Sequence, residues 1–353
     1  MPRRADARRR QIVTDNLRRL VDAGLSVWRD DPAAVAADPP AGTGLVLGAD
    51  AVRAALAGPA ATEGDDGDDA VRRITASVAR RAADALLPAY HAAGGRDGLV
   101  SVEVDPRLAD DVDGAVTEAR RVVDLADRPN VVVRVFAAEA ARELLAGGIG
   151  VEVALVSAPE LMRAALDTVR EGLDAAEGFP PALVSVPVAD VDTEVDKRLW
   201  AIGTDDSARL RGTAALATAR MTYAAYENAL RAPAWGRLTA SGAPKPRLVW
   251  TATQVRDPYY LETRYVDELV VSGAAAVLSP ATWRAVVEYG EPRGDTVHGT
   301  YEEARQALDR LTDIGVDLPD VHRVIRARSV ARSVAAWQRV RDAVAATRRQ
   351  PVG

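Results

Sequence analysis

The sequence contains no cysteine, and this absence removes several kinds of chemistry at once. Disulfide bonds, thiolate metal sites and cysteine nucleophiles are all excluded. No apolar run approaches the roughly 20 residues that a membrane-spanning helix requires. The basic N-terminal stretch MPRRADARRR is not followed by an apolar signal core. We therefore expect a cytoplasmic protein that does not associate with membranes.

Lysine is the next scarce residue, because only Lys197 and Lys245 occur and the other 43 basic residues are arginine. Any reaction that requires a lysine amine must therefore use one of these two side chains. The net charge is −6 at pH 7, which does not suit a general nucleic-acid binder. The three histidines, His91, His298 and His322, show no metal-ligand spacing and are interpreted as surface or packing residues. We expect a small-molecule substrate and no cofactor.

Short apolar runs alternate with amphipathic helical segments along most of the chain. This alternation is typical of a parallel sheet covered by helices. Eight strands in a chain of 353 residues favour a single-domain (β/α)₈ TIM barrel over an open sheet. The predicted strands are 25–30, 43–49, 98–105, 130–136, 150–157, 182–188, 247–253 and part of 268–279. Helices are predicted near 111–127, 138–146, 159–175, 205–231, 301–314 and 329–347.

The predicted domain organisation is a barrel with a helical extension at each end. Residues 1–24 are predicted to be an N-terminal helical extension, and residues 25–347 the barrel, whose last helix is C-terminal. The acidic, glycine-containing segment 59–70 is predicted to be a mobile loop. Residues 348–353 are predicted to be a disordered tail.

One cation interrupts the apolar run PNVVVRVFAA at residues 129–138, and it indicates where a site would lie. Side chains of a barrel strand alternate between the lumen and the helices. If Arg134 faces the lumen, then Val132 does too. By the same alternation Ser101 and Glu103 share one face of their strand. Because active sites of such barrels lie at the C-terminal ends of the strands, this pattern predicts a functional site there.

Several motifs make the chain similar to the transaldolase family in its longer bacterial form. The resemblance runs from about residue 15 to about residue 345. It implies a (β/α)₈ barrel in which a strand lysine forms a Schiff base with a ketose. The matching stretches are SVWRDD (26–31), VSVEVDPRLADD (100–111), PNVVVRV (129–135), GIGVEVAL (148–155), VDTEVDKRL (191–199), ARMTYAAYE (219–227) and YVDELV (265–270).

Some functional positions of the family are retained. The resemblance implies that Asp30 is the carboxylate that moves protons during carbon–carbon cleavage. It implies that Glu103 activates the water, and that Ser101 and Ser185 are pocket serines. Arg256 matches a basic residue near the last phosphate contact.

Other positions depart from the family pattern. The Schiff-base lysine falls on Arg134, and an asparagine near the carbonyl falls on Glu152. The phosphate-binding arginine falls on Asp190. Thr253, at the end of a predicted strand, is also predicted to bind the substrate.

Arginine cannot replace the lysine, because its guanidinium has a pKa above roughly 12 and no free amine lone pair. Lys197 is expected on a helix outside the barrel. Lys245 precedes a strand and is expected at the end opposite to the site. Authentic transaldolase activity is therefore not expected, and Asp190 is expected to repel a phosphate group.

Two functional classes stay open. In the first, the protein is a repurposed enzyme of specialised metabolism acting on a small, non-phosphorylated, amine-bearing substrate. Asp30 or Glu103 would be its general acid or base, and Arg134 a fixed electrophile that stabilises an oxyanion. A divalent metal held by Asp30, Glu103 and Glu152 is a variant. In the second class, the barrel is catalytically inactive and acts as a partner or regulatory subunit. Assignment by homology to the transaldolase of the pentose phosphate pathway is a third alternative.

Each candidate residue also has a purely structural interpretation. Arg134 and Glu152 could form a buried ion pair between neighbouring strands. Asp30 and Glu103 could cap helices or pair with Arg134, and Asp190 could be a solvated loop acid. The oligomeric state is left open, with a homodimer among the alternatives.

Overall fold

The computed structural model of the protein describes residues 15–31, 43–56 and 67–348. Within these ranges eight parallel strands pair in chain order, and the first pairs with the last, so the sheet closes into a barrel. The predicted (β/α)₈ fold is therefore confirmed. In the described ranges, we find no helix with the length and apolar character needed to cross a bilayer.

All eight predicted strands are confirmed, and each lies inside its apolar run. These runs are rich in Val, Leu and Ala because both faces of a barrel strand are buried, one against the lumen and one against the helices. The strands are β1 Ser26–Arg29, β2 Gly44–Leu47, β3 Leu99–Glu103, β4 Val131–Val135, β5 Val151–Val153, β6 Ala182–Pro187, β7 Arg247–Thr251 and β8 Ala275–Leu278.

Helices surround the barrel and follow the strands in chain order. They are α1 (15–22), α2 Ala49–Ala55, α3 Gly67–Ala92, α4 Val112–Ala126, α5 Ala138–Ala146, α6 Pro159–Ala175, α7 Val188–Ile202, α8 Asp205–Leu210, α9 Ala214–Leu230, α10 Pro233–Ala240, α11 Arg264–Asp267, α12 Pro280–Tyr289, α13 Tyr301–Asp313 and α14 Leu318–Arg348.

The lower part of the lumen is filled by apolar side chains. Trp28 is fully buried there, and its ring lies so close to Gly44 that a β-carbon at that position would meet it at 2.4 Å. Glycine is therefore required on β2 opposite the tryptophan. The other members of this cluster are Val46, Leu99, Val132, Leu183, Val249, Ala275 and Val277. Polar side chains consequently have room only nearer the C-terminal ends of the strands.

The helix predicted for residues 205–231 is two helices, α8 and α9. The break falls at Gly212, whose φ of +72° lies in the left-handed region. A β-carbon at Gly212 would meet Tyr260 at 2.6 Å, and its amide donates to Asp196 at 2.8 Å. The close approach of Tyr260 and the positive φ together end the helix.

The predicted end segments are partly described. Residues 15–22 of the N-terminal extension are helical, and residues 1–14 lie outside the described ranges. The prediction of a loop over 59–70 is wrong for 67–70, because Asp68 and Asp69 begin α3, where acidic side chains complement the positive helix terminus. Residues 59–66 and 349–353 lie outside the description.

Candidate functional site

Three charged side chains stand side by side on neighbouring strands at the mouth of the barrel. Glu103 on β3 is in register with Arg134 on β4, and Arg134 is in register with Glu152 on β5. Since all three positions share the lumen face with Val132 and Leu99, the predicted lumen orientation of Arg134 is confirmed. The register of the sheet therefore places the three side chains in a row, with the Arg134 cation between the two carboxyl groups.

Arg134 and Glu152 form a buried ion pair. The Arg134 Nη2 lies 2.8 Å from Glu152 Oε1, and Nε donates to the same oxygen at 3.0 Å. Ser101 donates to Oε2, so both oxygens of the fully buried carboxylate are bound. Burial acts to lower the pKa of Arg134, but the carboxylates of Glu152 and Glu103 outweigh it and keep the pKa above its usual value.

Glu103 has a different environment from Glu152. Its Oε2 accepts one hydrogen bond, from Ser333 Oγ at 3.2 Å, and burial raises the pKa of its carboxyl despite the opposing effect of Arg134. A carboxyl group whose pKa is raised beside a fixed cation is a candidate for proton exchange with a ligand. Glu103 therefore differs from Glu152, whose two oxygens are both bound.

Asp30 completes the acidic side of the site. It directly follows β1, and surrounding protein raises the pKa of its carboxyl to about 6, against a smaller opposing effect from Arg134. The residue is nevertheless exposed to solvent. A concave mouth explains both facts, because a carboxyl group there reaches water while protein surrounds it on most sides. Asp30 is therefore accessible to a ligand.

The interpretation of Asp190 as a solvated loop acid is wrong. Asp190 lies in the first turn of α7 and is 6% exposed. Its two oxygens are bound by two arginines, Arg256 at 2.6 Å and Arg332 at 2.9 Å. This neighbourhood therefore has an excess of positive charge, and the expectation that Asp190 repels phosphate loses its physical basis.

The long C-terminal helix α14 supplies side chains that sequence reasoning missed. Ser333 contacts Glu103, Arg332 contacts Asp190, and Arg328 binds Glu194 at 2.6 Å. Arg328 and Arg332 are four residues apart and so lie on one face of the helix. This spacing is visible in the sequence, but among 43 arginines it was not distinctive.

Ser185 and Thr253 are buried near the row without a described bond to it. Ser185 lies on β6 in register with the lumen residue Val249 and is two residues after Leu183, so it faces the lumen as predicted. Thr253 donates its hydroxyl to the carbonyl of Val277 at 2.6 Å and thereby ties the end of β7 to β8. In the described ranges no hydrogen bond joins Thr253 to the other candidates.

Neither lysine lies at the mouth. Lys197 is exposed on the outer helix α7. Lys245 lies beside Leu99, Leu183 and Arg247, at the N-terminal end of the barrel. Both predicted locations are confirmed. Among the described residues, no group of three His, Asp or Glu side chains has the geometry of a metal site, so the metal variant gains no support.

Comparison with known proteins gives a consistent result. A family model described as transaldolase/fructose-6-phosphate aldolase matches residues 46–344. Transaldolase 1 of Streptomyces avermitilis is 36% identical, over 96% of this chain and 97% of its own length. The transaldolase of Thermobifida fusca is 38% identical, over 93% of this chain and 97% of its own. The transaldolase of Mycolicibacterium smegmatis is 38% identical over 80% of this chain and 79% of its own.

Proposed function

The chain belongs to the transaldolase/fructose-6-phosphate aldolase family, and we propose that it is a member that works by general acid–base catalysis instead of a lysine Schiff base. The observation that carries this proposal is the row of Glu103, Arg134 and Glu152, in which a fixed guanidinium stands between two carboxyl groups. A barrel that kept imine chemistry would need a lumen amine, and both lysines lie elsewhere.

The chemistry that suits this row is proton abstraction next to a carbonyl group. Asp30 or Glu103, in its ionised form, takes a proton from the carbon adjacent to the carbonyl. The electron pair of the broken C–H bond moves to the carbonyl oxygen, and the Arg134 guanidinium stabilises the resulting enolate. A carboxyl group with a pKa of about 6, such as Asp30, is largely ionised at pH 7 and is a stronger base than an ordinary aspartate.

Glu152 and Ser101 would position the electrophile. The Arg134 Nε and Nη2 are held on one side by Glu152. Ser101 in turn fixes Glu152. A guanidinium held in this way loses little freedom when a substrate binds, which is the condition for preorganised electrostatic stabilisation. We propose Ser185, Asp190 and Arg256 as lining for the rest of a small carbonyl substrate.

The charge at the barrel mouth restricts the substrate class less than the sequence predicts. The expectation of an amine-bearing substrate rests on an acidic mouth. Asp190 is offset by Arg256 and Arg332, and two of the other acids have raised pKa values. The test therefore includes phosphorylated and non-phosphorylated carbonyl compounds.

A catalytically inactive homologue is the second candidate function. The observation that favours it is that Arg134 and Ser101 bind both oxygens of the Glu152 carboxylate without any ligand. In such a protein the row would serve only the stability of the barrel.

Hydrogen exchange tests the proposal without knowledge of the natural product. Dihydroxyacetone, fructose and fructose 6-phosphate would be incubated with the protein in D₂O, and loss of the proton next to the carbonyl followed by NMR. We expect exchange above buffer, and we expect Glu103→Gln to lower it by roughly 10²–10⁴-fold. Glu171→Gln, a change of the same kind on the exposed face of α6, should leave the rate unchanged. Exchange that neither Glu103→Gln nor Asp30→Asn lowers contradicts the mechanism, and no exchange with any compound supports the inactive homologue.

Borohydride trapping tests the missing amine separately. Wild type, Arg134→Lys and the double variant Arg134→Lys/Glu152→Asn would be incubated with fructose 6-phosphate and borohydride, followed by intact mass measurement. We expect a reduced imine only in the variants, and more in the double variant, because removal of the Glu152 carboxylate favours an uncharged amine. An imine on the wild-type protein would overturn the proposal and support authentic transaldolase activity.

A further inference from the structure

The long C-terminal helix α14 crosses the barrel mouth as a bridge that is anchored at both ends. Val321 and Ile325 are buried near its start, in the larger apolar core around the barrel. Trp337 and Val340 are buried near its end, in a separate apolar cluster with side chains of α2 and α3. No residue from 330 to 336 is buried. Apolar packing therefore fixes the two ends of the helix, and the segment between them spans the mouth.

Ser333 lies on the inward face of this bridge. It is eight residues after Ile325 and four residues before Trp337, which are both buried. Side chains at four-residue spacing lie on the same face of a helix. The inward face therefore carries a large apolar side chain at each anchor, and a small polar one where the helix crosses the mouth.

The hydroxyl of Ser333 does not take the partner that is common inside a helix. A helix hydroxyl often donates to the backbone carbonyl four residues earlier. Thr168, Thr193 and Thr312 do so in this protein, at 2.8–3.0 Å. Among the described residues, the one hydrogen bond of Ser333 goes instead to Glu103 Oε2, at 3.2 Å. The hydroxyl is thus directed away from its own helix and towards the candidate base.

The surroundings of Glu103 make this donor important. Two charged groups act on its carboxyl: Arg134 favours the ionised form, and Glu152 opposes it. Burial also opposes ionisation and has the largest effect, so the pKa of Glu103 is raised. A hydroxyl that donates to a carboxylate favours the ionised form and fixes its orientation. Within the described ranges, Ser333 is the one hydrogen-bond donor that Glu103 has.

We propose that Ser333 is a positioning residue for Glu103, and that its hydroxyl, held by the anchored bridge, keeps the carboxyl group in the orientation and the ionised form that a general base requires. Helix packing alone does not account for a serine here, because alanine is the better helix former and is of similar size. The consequence for catalysis rests on the proposed function, whereas the effect of Ser333 on Glu103 does not.

Carbon-13 NMR of protein labelled at the glutamate side-chain carboxyl tests that effect directly. The signal of Glu103 is the one that Glu103→Gln removes. We expect Ser333→Ala to raise the pKa of Glu103 by about one pH unit, because the ionised carboxylate loses its donor. Ser333→Thr keeps a hydroxyl and should titrate like the wild type. Ser241→Ala, the same change at the exposed end of α10, should leave the pKa of Glu103 unchanged.

A second pair of variants keeps the test valid if Ser333→Ala disturbs the docking of α14. Ser333→Thr and Ser333→Val have the same shape and differ only in the hydroxyl, so the valine variant alone should raise the pKa of Glu103. Equal pKa values of Glu103 in wild type and Ser333→Ala, or in the threonine and valine variants, would overturn the inference.

Carbonyl hydrogen exchange separates this inference from the proposed function. Where the wild type exchanges, Ser333→Ala should move the pH profile of the rate upward by about the same one unit, and Ser333→Thr should restore it. An unchanged profile in Ser333→Ala would overturn the positioning role. If the wild type exchanges no compound, the proposed function fails, and the titration of Glu103 still decides whether Ser333 positions its carboxyl group.

Discussion

Two arginines lie inside the barrel, one at each end, and they differ in how many of their side-chain nitrogens have a hydrogen-bond partner. Arg247, at the N-terminal end, donates to the carbonyl oxygens of Gly273 and Arg96, to the hydroxyl of Ser26 and to the carboxylate of Asp97. Each of its three side-chain nitrogens has a partner. Arg134, at the mouth, contacts one carboxylate through Nε and Nη2. In the described part of the chain its Nη1 has no hydrogen-bond partner.

The neighbouring carboxyl groups differ in the same way. The Asp97 carboxylate forms an ion pair with Arg247, and both side chains belong to a closed hydrogen-bond network. Beside Arg134, by contrast, Asp30 and Glu103 both have raised pKa values. A closed network stabilises the fold, whereas Arg134 keeps a spare donor between two acids with raised pKa values. This difference leads us to propose Arg134 as a functional cation and Arg247 as a structural one.

The largest effect on the free energy of unfolding is expected at the N-terminal end of the barrel. Arg247→Met should lower the free energy of unfolding by about 3 kcal/mol, because it leaves Asp97, a partly buried carboxylate, without its cation. Urea denaturation measures this cost. The exposed variant Arg209→Met should change stability little, since its ion pair with Asp206 lies in solvent. A cost below about 1 kcal/mol for Arg247→Met would remove the distinction between the two arginines.

A smaller effect on stability is expected at the mouth when both partners are removed. Arg134→Met/Glu152→Gln removes both charges of the ion pair, and Ser101 can still donate to the glutamine oxygen. We expect a change of about 1 kcal/mol or less in urea denaturation, together with loss of carbonyl hydrogen exchange. Glu152→Gln alone serves as the comparison. A double variant as damaged in stability as Arg247→Met would mean that the row is structural.

The smallest effect is expected from Asp30 and depends on pH. Its carboxyl has a pKa of about 6 in the folded protein against an ordinary value of 3.8, so the folded state holds the proton more tightly. The stability that this group contributes is present below about pH 3.8 and is lost as pH rises to about 6. Asp30→Asn should therefore be more stable than wild type at pH 7.5 and similar to it near pH 4 in urea denaturation. Asp22→Asn, on the exposed face of α1, should show no such pH dependence. Equal effects at both pH values would contradict the raised pKa.

The barrel could be predicted from sequence because its signal is local. Each strand is a short apolar run, and both of its buried faces select Val, Leu and Ala. Strand alternation also predicts which side chains of one strand share the lumen face, whereas the register that aligns Glu103, Arg134 and Glu152 comes from the structure. Helix ends were harder, and the break at Gly212 depends on Tyr260, which approaches from 48 residues away in the chain.

The partners of the site residues could not be predicted. The pairing of Asp190 is not visible in the sequence, because Arg256 and Arg332 are distant from it in the chain and nothing local links either arginine to this acid. The tryptophans show the same limit. Their apolar rings favour the core, and Trp28, Trp235 and Trp250 are buried, whereas Trp200 is 66% exposed and lies under the guanidinium of Arg211. Such contacts depend on tertiary arrangement, which composition does not contain.

The helix α14 has a consequence for the order in which the site is made during protein synthesis. Ser333 is 230 residues from Glu103 in the chain, and Arg332 is 142 residues from Asp190. The ribosome therefore produces all eight strands before it produces the donors for these acids. Contacts between such distant residues form late in folding. Until α14 docks, a nascent barrel would thus lack the contact of Ser333 with Glu103 and the contact of Arg332 with Asp190.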